Sequence, residues 1–237
     1  MENLAFITSC EVCGNNDLVD VLNLGLHPLC DDLVEIGDPR KCIEYPIDIV
    51  YCLKCNTAHQ RYQVNKTTLF TQQYHYRAKV TKSVTDGMMG LVEGAEQRYG
   101  NLSNKKVLDI GCNDGSLLDI FSKKGSVTYG VDPTGAIKDA SDQHKLFNRY
   151  FDASVASELK NTVGCFDFIT FTNVFAHIEN LPELIRNLKS ICNDKTVIII
   201  ENHYLGDIIS RGQFDTFYHE HPRTYSYKSF EVISESL

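Results

Sequence analysis

The sequence predicts an α/β protein, a doubly wound parallel sheet preceded by a small cysteine-paired module. Three observations carry this expectation. From residue 105 onward, short apolar runs of strand length alternate with stretches of helical character, and strands joined by helical crossovers form a parallel sheet. The first of these runs leaves through a glycine-bearing turn, Gly111-Cys-Asn-Asp-Gly115. Ahead of residue 70 stand two Cys-x-x-Cys pairs, Cys10/Cys13 and Cys52/Cys55. The expected boundary follows the change of texture: a cysteine module at 1–70 and a sheet domain at 71–237.

In the first part, Pro28, Pro39 and Pro46, with Gly14, Gly25 and Gly37, punctuate short strand-like runs. Residues 78–99 read as a helix, with Val80, Val84, Met88, Leu91 and Val92 near helical spacing and a stop at Gly100. Val107–Ile110 reads as the first buried strand, followed by a helix over 115–124. The second strand is Val127–Val131, then come a helix over 135–144 and a short strand over 146–151. Phe166–Phe171 is the fourth strand. A helix over 181–192 opens on Leu181-Pro182, proline fitting the first helical turn. Val197–Glu201 is the fifth strand. No internal repeat or low-complexity tract interrupts this order.

The bulk numbers narrow the function. The chain has 237 residues, room for one large domain and a small one, with 43% hydrophobic and 23% charged residues. A formal net charge of -8 disfavours nucleic acid as a partner, because phosphate backbones are met by basic patches. Met1–Cys10 has no signal-peptide pattern, and no apolar run approaches the roughly 20 residues of a membrane span. A soluble, cytoplasmic protein without a membrane partner is expected. Nine cysteines are present; Cys30, Cys42, Cys112, Cys165 and Cys192 show no pairing logic. A reducing compartment explains both sets, with metal for the pairs and free thiols for the rest. Oligomeric state leaves no mark in the sequence.

The glycine turn carries the first chemistry. Gly111 and Gly115 permit backbone angles that other residues resist. Asp132 ends the second strand 21 residues after Gly111, where an acid can accept ribose hydroxyls. A dinucleotide site would want glycine where Asn113 stands, so that a pyrophosphate can approach bare backbone. A ligand with adenosine and no pyrophosphate suits this turn better, and S-adenosylmethionine is such a ligand. Asp109-x-Gly111-x-x-x-Gly115 resembles motif I of the class I methyltransferases, which implies a Rossmann-like sheet. Asp109, Gly111, Asn113, Asp114, Gly115, Asp132 and Pro133 are the cofactor positions it implies. Phe166–Asn173 resembles the fourth strand of these enzymes, with Asn173 and His177 projecting from its end, and Phe151 and Asp152 lie where adenine is often held. A strand–helix turn without a ligand is the bland alternative; the acid at 132 and the later strands weigh against it.

The two cysteine pairs read as knuckles, each followed by a turn residue, Gly14 or Asn56. Together they can close a tetrahedral Zn²⁺ site, structural because no position is left open. Unligated buried thiols or one redox pair are the alternatives.

The order of motifs then resembles a family. Tyr45-Pro-Ile-Asp-Ile-Val-Tyr-Cys-Leu-Lys-Cys55 leads to Leu69-Phe-Thr-Gln-Gln-Tyr-His-Tyr-Arg77, then to the glycine turn, Asn173-Val-Phe-Ala-His177 and Gln213-Phe-Asp-Thr-Phe-Tyr-His-Glu-His221. The series is similar to the zinc-containing sugar C-methyltransferases that act on nucleotide-linked keto-deoxysugars. The resemblance implies active-site roles for Tyr218, Glu220, His221 and His177, and a closing role over cofactor and substrate for Tyr76. It also implies a nucleotide-sugar substrate, S-adenosylmethionine and structural zinc. Two departures stand out: Pro28-Leu-Cys-Asp31 replaces the family's Pro-Leu-Ala-Asn, and the family continues past the point where this chain stops, at Leu237, with a further C-terminal domain. These leave the acceptor more open than the reaction class.

Carbon methylation needs a nucleophilic carbon, made when a base takes the proton next to a ketone. His221 or Tyr218 is the expected base; His177 and Glu220 would orient it or bind hydroxyls and the developing oxyanion. The rival expectations are O- or N-methylation of another activated saccharide precursor or small metabolite, and a non-catalytic zinc-ribbon binding protein. The His-x-His pair could also read as a second metal site or a polar loop.

Overall fold

A computed structural model describes residues 4–237. The chain groups into two compact units. One runs to Leu69 and takes back Phe175–Pro182 and Asn202–Leu237; the other holds Phe70–Val174 and Glu183–Glu201. The segment 202–237, placed with the sheet domain on sequence, thus groups with the cysteine module.

The first unit opens with β1 (Leu4–Phe6), β2 (Leu18–Pro28), β3 (Glu44–Cys52), β4 (Thr57–Gln60), β5 (Tyr62–Val64) and the single turn α1 (Lys66–Leu69). β2, β3 and β4 form an antiparallel sheet, and β1 pairs with β5. Ile47 and Ile49 alternate inward from β3 and pack with Ala58 and Leu205. β2 is an edge strand with register shifts between Asp20 and Leu22 and between Asn23 and Gly25. Such bulges twist an edge away from further pairing.

The second unit follows with α2 (Lys82–Tyr99), β6 (Lys106–Ile110), α3 (Ser116–Lys123), β7 (Val127–Val131), β8 (Lys145–Phe147), α4 (Ala153–Thr162), β9 (Phe168–Thr172), α5 (Leu181–Ile191) and β10 (Val197–Glu201). Its sheet is wholly parallel in the order β10-β9-β6-β7-β8. This is the class I methyltransferase arrangement, and strand order reverses between β6 and β9. Ligands of open parallel sheets bind beyond the carboxyl ends of the strands at such a reversal. α3 splits its apolar residues: Leu117 and Phe121 pack with Val92, Leu102, Val107 and Phe168, while Leu118 packs with Cys112 and Ile137. Each such fully buried side chain stabilises by roughly 1.5–3 kcal/mol.

The strands and helices read from sequence recur with four corrections. The helix expected over 78–99 starts at Lys82, after a 3-10 turn at Ala78–Val80. The helix expected over 135–144 is only a 3-10 turn, Gly135–Asp139. There the Thr134 hydroxyl accepts from the Ala136 amide, and the Gln72 carbonyl abuts the bare Cα of Gly135. The strand expected over 146–151 stops at Phe147, where the Arg149 amide turns back onto the Phe147 carbonyl at 2.9 Å. Helix α4 was not anticipated; Asp152 caps it by accepting from the Ser154 and Val155 amides, both at 2.9 Å.

The chain then returns to the first unit with α6 (Leu205–Arg211), β11 (Arg223–Thr224) and α7 (Tyr227–Glu235). β11 adds to the sheet beside β4, with Arg223 opposite His59 and Thr224 opposite Ala58. α7 begins in a capping box between Ser226 and Ser229, and Ser229 Oγ also donates to the Cys55 and Asn56 carbonyls, each at 3.2 Å. This short strand and cap draw the last segment to the cysteine module. Among the described residues no helix is long and apolar enough to cross a membrane.

Candidate active site and metal centre

The glycine turn leaves β6 and is tied to the next strand by the Gly111 amide, which donates to the Val131 carbonyl at 2.7 Å. Gly111 has φ of 76°, and a Cβ there would overlap the methyls of Val174. Gly115, at φ 77°, precedes α3, and a Cβ would come within 2.8 Å of Ala140. Glycine is thus required twice over at each, by angle and by space.

Asn113 has φ of 49°, a conformation asparagine tolerates better than most residues. Its side chain holds the preceding loop: Oδ1 accepts from the Ala78 amide at 3.0 Å and Nδ2 donates to the Tyr76 carbonyl at 3.1 Å. Asp114 is buried and holds the same loop, accepting from the Lys79 amide at 2.9 Å and from Ser116 Oγ at 2.6 Å. Both side chains thereby place Tyr76, whose half-exposed ring stands near Asp114 and Glu201; burial and these two charges push its phenol up.

Asp132 is buried at the end of β7. Its Oδ1 accepts from the Thr134 amide at 2.8 Å and hydroxyl at 2.6 Å, and its Oδ2 accepts from the Asn113 amide at 2.9 Å. A carboxylate offers about four acceptor positions. One on Oδ2 remains for a ligand hydroxyl, where the sequence reading asked for two. Pro133 is held through its carbonyl by Gln72 Nε2 at 2.5 Å. Asp109 is fully buried and bonded by Thr170 Oγ1 at 2.7 Å across β6 and β9; burial pushes it up to about 7, with Asp132 adding to the rise. It is a pin between strands, away from solvent. Asn173 closes β9 at φ 54°, exposed, with its amide on the Glu201 carbonyl at 3.0 Å. Phe151 is half-buried beside the cap Asp152.

In the first unit, the knuckles take the form expected. Gly14 (φ 72°) and Asn56 (φ 56°) close them, with the Gly14 amide on the Cys10 carbonyl and the Asn56 amide on the Cys52 carbonyl, both at 2.8 Å. All four sulfurs lie within 4.8 Å of one another, Cys10 to Cys55 at 3.3 Å and Cys13 to Cys52 at 3.6 Å. A zinc–sulfur bond of about 2.3 Å gives a tetrahedral edge of about 3.8 Å, so the cage fits the ion. Cys10 is pushed up by its bond to Cys55 and by burial, while Cys55 is held down to about 5, chiefly by the same bond. The pair competes for one proton, and a dication held by four thiolates removes that competition. His59 Nε2 at 3.3 Å from Cys10 Sγ, Thr57 Oγ1 at 3.1 Å from Cys55 Sγ and Asn15 Nδ2 at 3.7 Å from Cys52 Sγ form the outer shell.

The same unit brings together three of the four expected catalytic side chains. Ring centroids of Tyr218 and His177 lie 4.3 and 5.0 Å from that of His221. His203, not singled out on sequence, joins them at 4.8 Å; its position just after the fifth strand was the available signal. His221 Nδ1 lies 2.9 Å from the Thr216 carbonyl. Only a protonated ring nitrogen bonds a carbonyl oxygen, so the neutral ring keeps Nε2 as a free acceptor. Burial is the main reason His221 is lowered to about 4, and His177 is driven well down by burial and by its histidine neighbours. Glu220 is buried and accepts from the Cys30 thiol at 2.9 Å; burial, then Glu220, push Cys30 up to about 12. Cys30 lies in the Pro28–Asp31 stretch, where Cys30 and Asp31 both differ from the pattern the sequence resembles. His219 instead bonds the Tyr45 carbonyl at 3.1 Å. Among the described residues the four cysteines are the group whose ligand atoms gather as a metal would need, while His219 and His221 each meet a backbone carbonyl.

This burial predicts acid sensitivity. Between pH 6.5 and about 4 the unfolded chain protonates His221 while the folded chain does not. Stability therefore falls as pH drops through that window, by about 3 kcal/mol at 1.36 kcal/mol per unit, and His177 adds in the same direction. Glu11, lowered to about 2 because Arg223, His59 and Gln63 outweigh its burial, loses its contribution only below pH 4.5. Urea unfolding at pH 7.5 and 4.5 measures the difference, and His221→Gln should flatten it.

The chain is 28% identical to the "C-methyltransferase NovU" of Streptomyces niveus over 233 residues, 97% of this chain and 55% of the relative. It is 29% identical to the rat mitochondrial ubiquinone biosynthesis O-methyltransferase over 92 residues, 36% of this chain and 27% of the relative. The chain thus spans about half or less of these proteins' length. A crystal structure of a "putative O-methyltransferase" from Nostoc punctiforme superposes with a TM-score of 0.50 at 14% identity, covering 64% of this chain and 49% of that one, a likeness of fold. A family profile described as "Putative zinc binding domain" matches residues 10–70. A second, described as "Methyltransferase domain", matches residues 87–236, well over half of the chain, and the chain belongs to that methyltransferase family.

Proposed function

We propose that the chain binds S-adenosylmethionine at the 111–115 turn and methylates a carbon of a nucleotide-linked keto-deoxysugar. The observation that carries the carbon acceptor is the cluster of Tyr218, His177, His203 and His221, in which His221 is buried and held in the tautomer that leaves Nε2 as an acceptor, while His203 stands at the surface. Transfer to oxygen or nitrogen needs far less activation of the acceptor and has little use for such a cluster. The name of a relative that matches 97% of this chain over 55% of its own length, a C-methyltransferase, supports the same reading.

S-adenosylmethionine, when bound, supplies a methyl made electrophilic by its sulfonium. The residues that would hold it are Gly111 and Asn113 in the turn, Asp132 through its remaining acceptor, Asn173 at the end of β9, and Tyr76 on the loop that Asn113 and Asp114 fix. His221 Nε2 takes the proton from the carbon beside the ketone, and the electron pair passes to the ketone oxygen. Tyr218 donates to that developing oxyanion. Glu220, an acceptor, takes a sugar hydroxyl while Cys30 holds its other face. His177, kept neutral by burial, orients the His221 ring. At about 4, His221 is deprotonated throughout the neutral range but is a weak base, so oxyanion stabilisation has to supply much of the driving force.

The test is exchange in heavy water. Incubated with a nucleotide-linked keto-deoxysugar and no methyl donor, the protein should place deuterium on the carbon beside the ketone. His221→Ala should lower both exchange and methyl transfer by about 10²–10⁴-fold. If His221→Ala and Tyr218→Phe transfer methyl at the parent rate, the acceptor is an oxygen or a nitrogen.

A further inference from the structure

Behind the histidine cluster, the first unit holds a connected set of buried charges that the methyl-transfer chemistry does not use. Arg223 on β11 is wholly buried. Its Nη1 donates to Glu11 Oε2 at 2.7 Å and to the Glu179 carbonyl at 3.0 Å, and its Nε donates to the Tyr225 hydroxyl at 2.9 Å. Glu11 sits inside the first Cys-x-x-Cys. The same Oε2 accepts from Gln63 Nε2 at 2.8 Å and lies 3.5 Å from His59 Nδ1. The other nitrogen of His59 meets Cys10 Sγ at 3.3 Å. Tyr225 packs its ring on Phe175 at 5.6 Å. The short segment that carries His177 is therefore gripped on both sides, through the Phe175 ring and the Glu179 carbonyl.

We infer that Glu11, Arg223 and Tyr225 are positioning residues that fix the His177-bearing segment against the cysteine knuckle. The effect on turnover rests on the methyl-transfer reading; the effect on His177 does not. Stability alone is a poor reason for such a pair, because apolar residues of similar volume often serve a buried site as well. What an arginine fork adds is direction. Two of its nitrogens aim at three acceptors on three segments, and one of them is a backbone oxygen two residues from His177. A segment fixed in this way keeps the His177 ring against His221.

The full, zinc-loaded chain carries the test, with Glu11→Gln and Tyr225→Phe as the conservative variants and Arg223→Met as the severe one. Zinc content is read by metal release, cofactor affinity by calorimetry with S-adenosylmethionine, and ring placement by nitrogen-15 NMR of the histidine side chains, assigned with His177→Gln. The expected result is full zinc content and cofactor affinity within about twofold in the conservative variants, with shifted His177 resonances and turnover reduced about 10-fold or more, in kcat rather than KM. Unmoved His177 resonances overturn the inference. So does loss of zinc in proportion to loss of turnover, which marks a merely structural pair. Arg223→Met failing to fold leaves Tyr225→Phe to decide. Should the unsubstituted chain transfer no methyl to any keto-sugar, the proposed function falls by itself and the NMR result still decides the positioning role.

Discussion

Gly111→Ala is expected to destabilise the sheet unit by about 3 kcal/mol, the sum of a left-handed backbone angle at roughly 1–2 kcal/mol and overpacking at roughly 1–3 kcal/mol. The angle is φ 76°, and the new methyl would overlap the side chain of Val174, the residue after Asn173. Relief has to come from moving the turn or Val174, and either displaces groups proposed to hold the cofactor. Affinity for S-adenosylmethionine should fall with stability. Gly164→Ala, at φ 86° with nothing near its Cβ position, isolates the angular cost. Val174→Ala in the Gly111→Ala background should recover the packing part only. Urea unfolding of the unsubstituted protein, Gly111→Ala, Val174→Ala and the double variant measures the packing term as a double-mutant cycle, with Gly164→Ala beside them for the angular term.

The second large effect is at the metal centre. Cys52→Ser is expected to release zinc and unfold the first unit, since structural zinc contributes about 10–16 kcal/mol in small zinc domains. Cys52 is wholly buried, with Cys13 Sγ at 3.6 Å and Asn15 Nδ2 at 3.7 Å. The second knuckle joins β3 to β4, and Ser229 in the first turn of α7 donates to the Cys55 and Asn56 carbonyls. A strong chelator should give the same loss of ellipticity in the unsubstituted protein. Cys112→Ser, a buried thiol of the other unit, should keep its zinc. Metal content and circular dichroism, measured together, check both statements.

The sheet was legible because its signal is local. Each of β6, β7, β9 and β10 is a short apolar run bounded by turn residues, and their parallel order follows from the helices between them. The knuckles were legible for the same reason, through Cys-x-x-Cys followed by Gly14 or Asn56. The errors arose where a neighbour decides the matter. Residues 135–144 carry helical residues, yet the turn ends at Ala140, whose backbone is extended and whose methyl lies against Gly115. Asp152 was read as a cofactor neighbour, although Asp152 followed by Val155, Ala156 and Leu159 is a helix start with an apolar face. The first unit draws on three separate stretches of chain, held by a two-residue strand beside β4 and a serine cap. No periodicity announces contacts so short and so distant in sequence.

The site divides along the same line. Gly111, Gly115, Asp132, Tyr218, His177 and His221 were named from motifs. His203, whose only mark in the sequence is its place just after the fifth strand, and the Arg223–Glu11 pair were not, because tertiary placement gives them their neighbours. Asp109 and Asp114 were named as ligand positions, but their oxygens meet Thr170, Ser116 and the Lys79 amide. They shape the cofactor turn from behind.

The most direct test of the account is to give the protein S-adenosylmethionine with a carbon-13 methyl and a panel of nucleotide-linked keto-deoxysugars, and to locate the label by mass spectrometry and NMR. The expected result is one added methyl, bonded to the carbon beside the ketone, with the label absent in His221→Ala. A label on oxygen or nitrogen, or a panel in which no sugar gains mass, would contradict it.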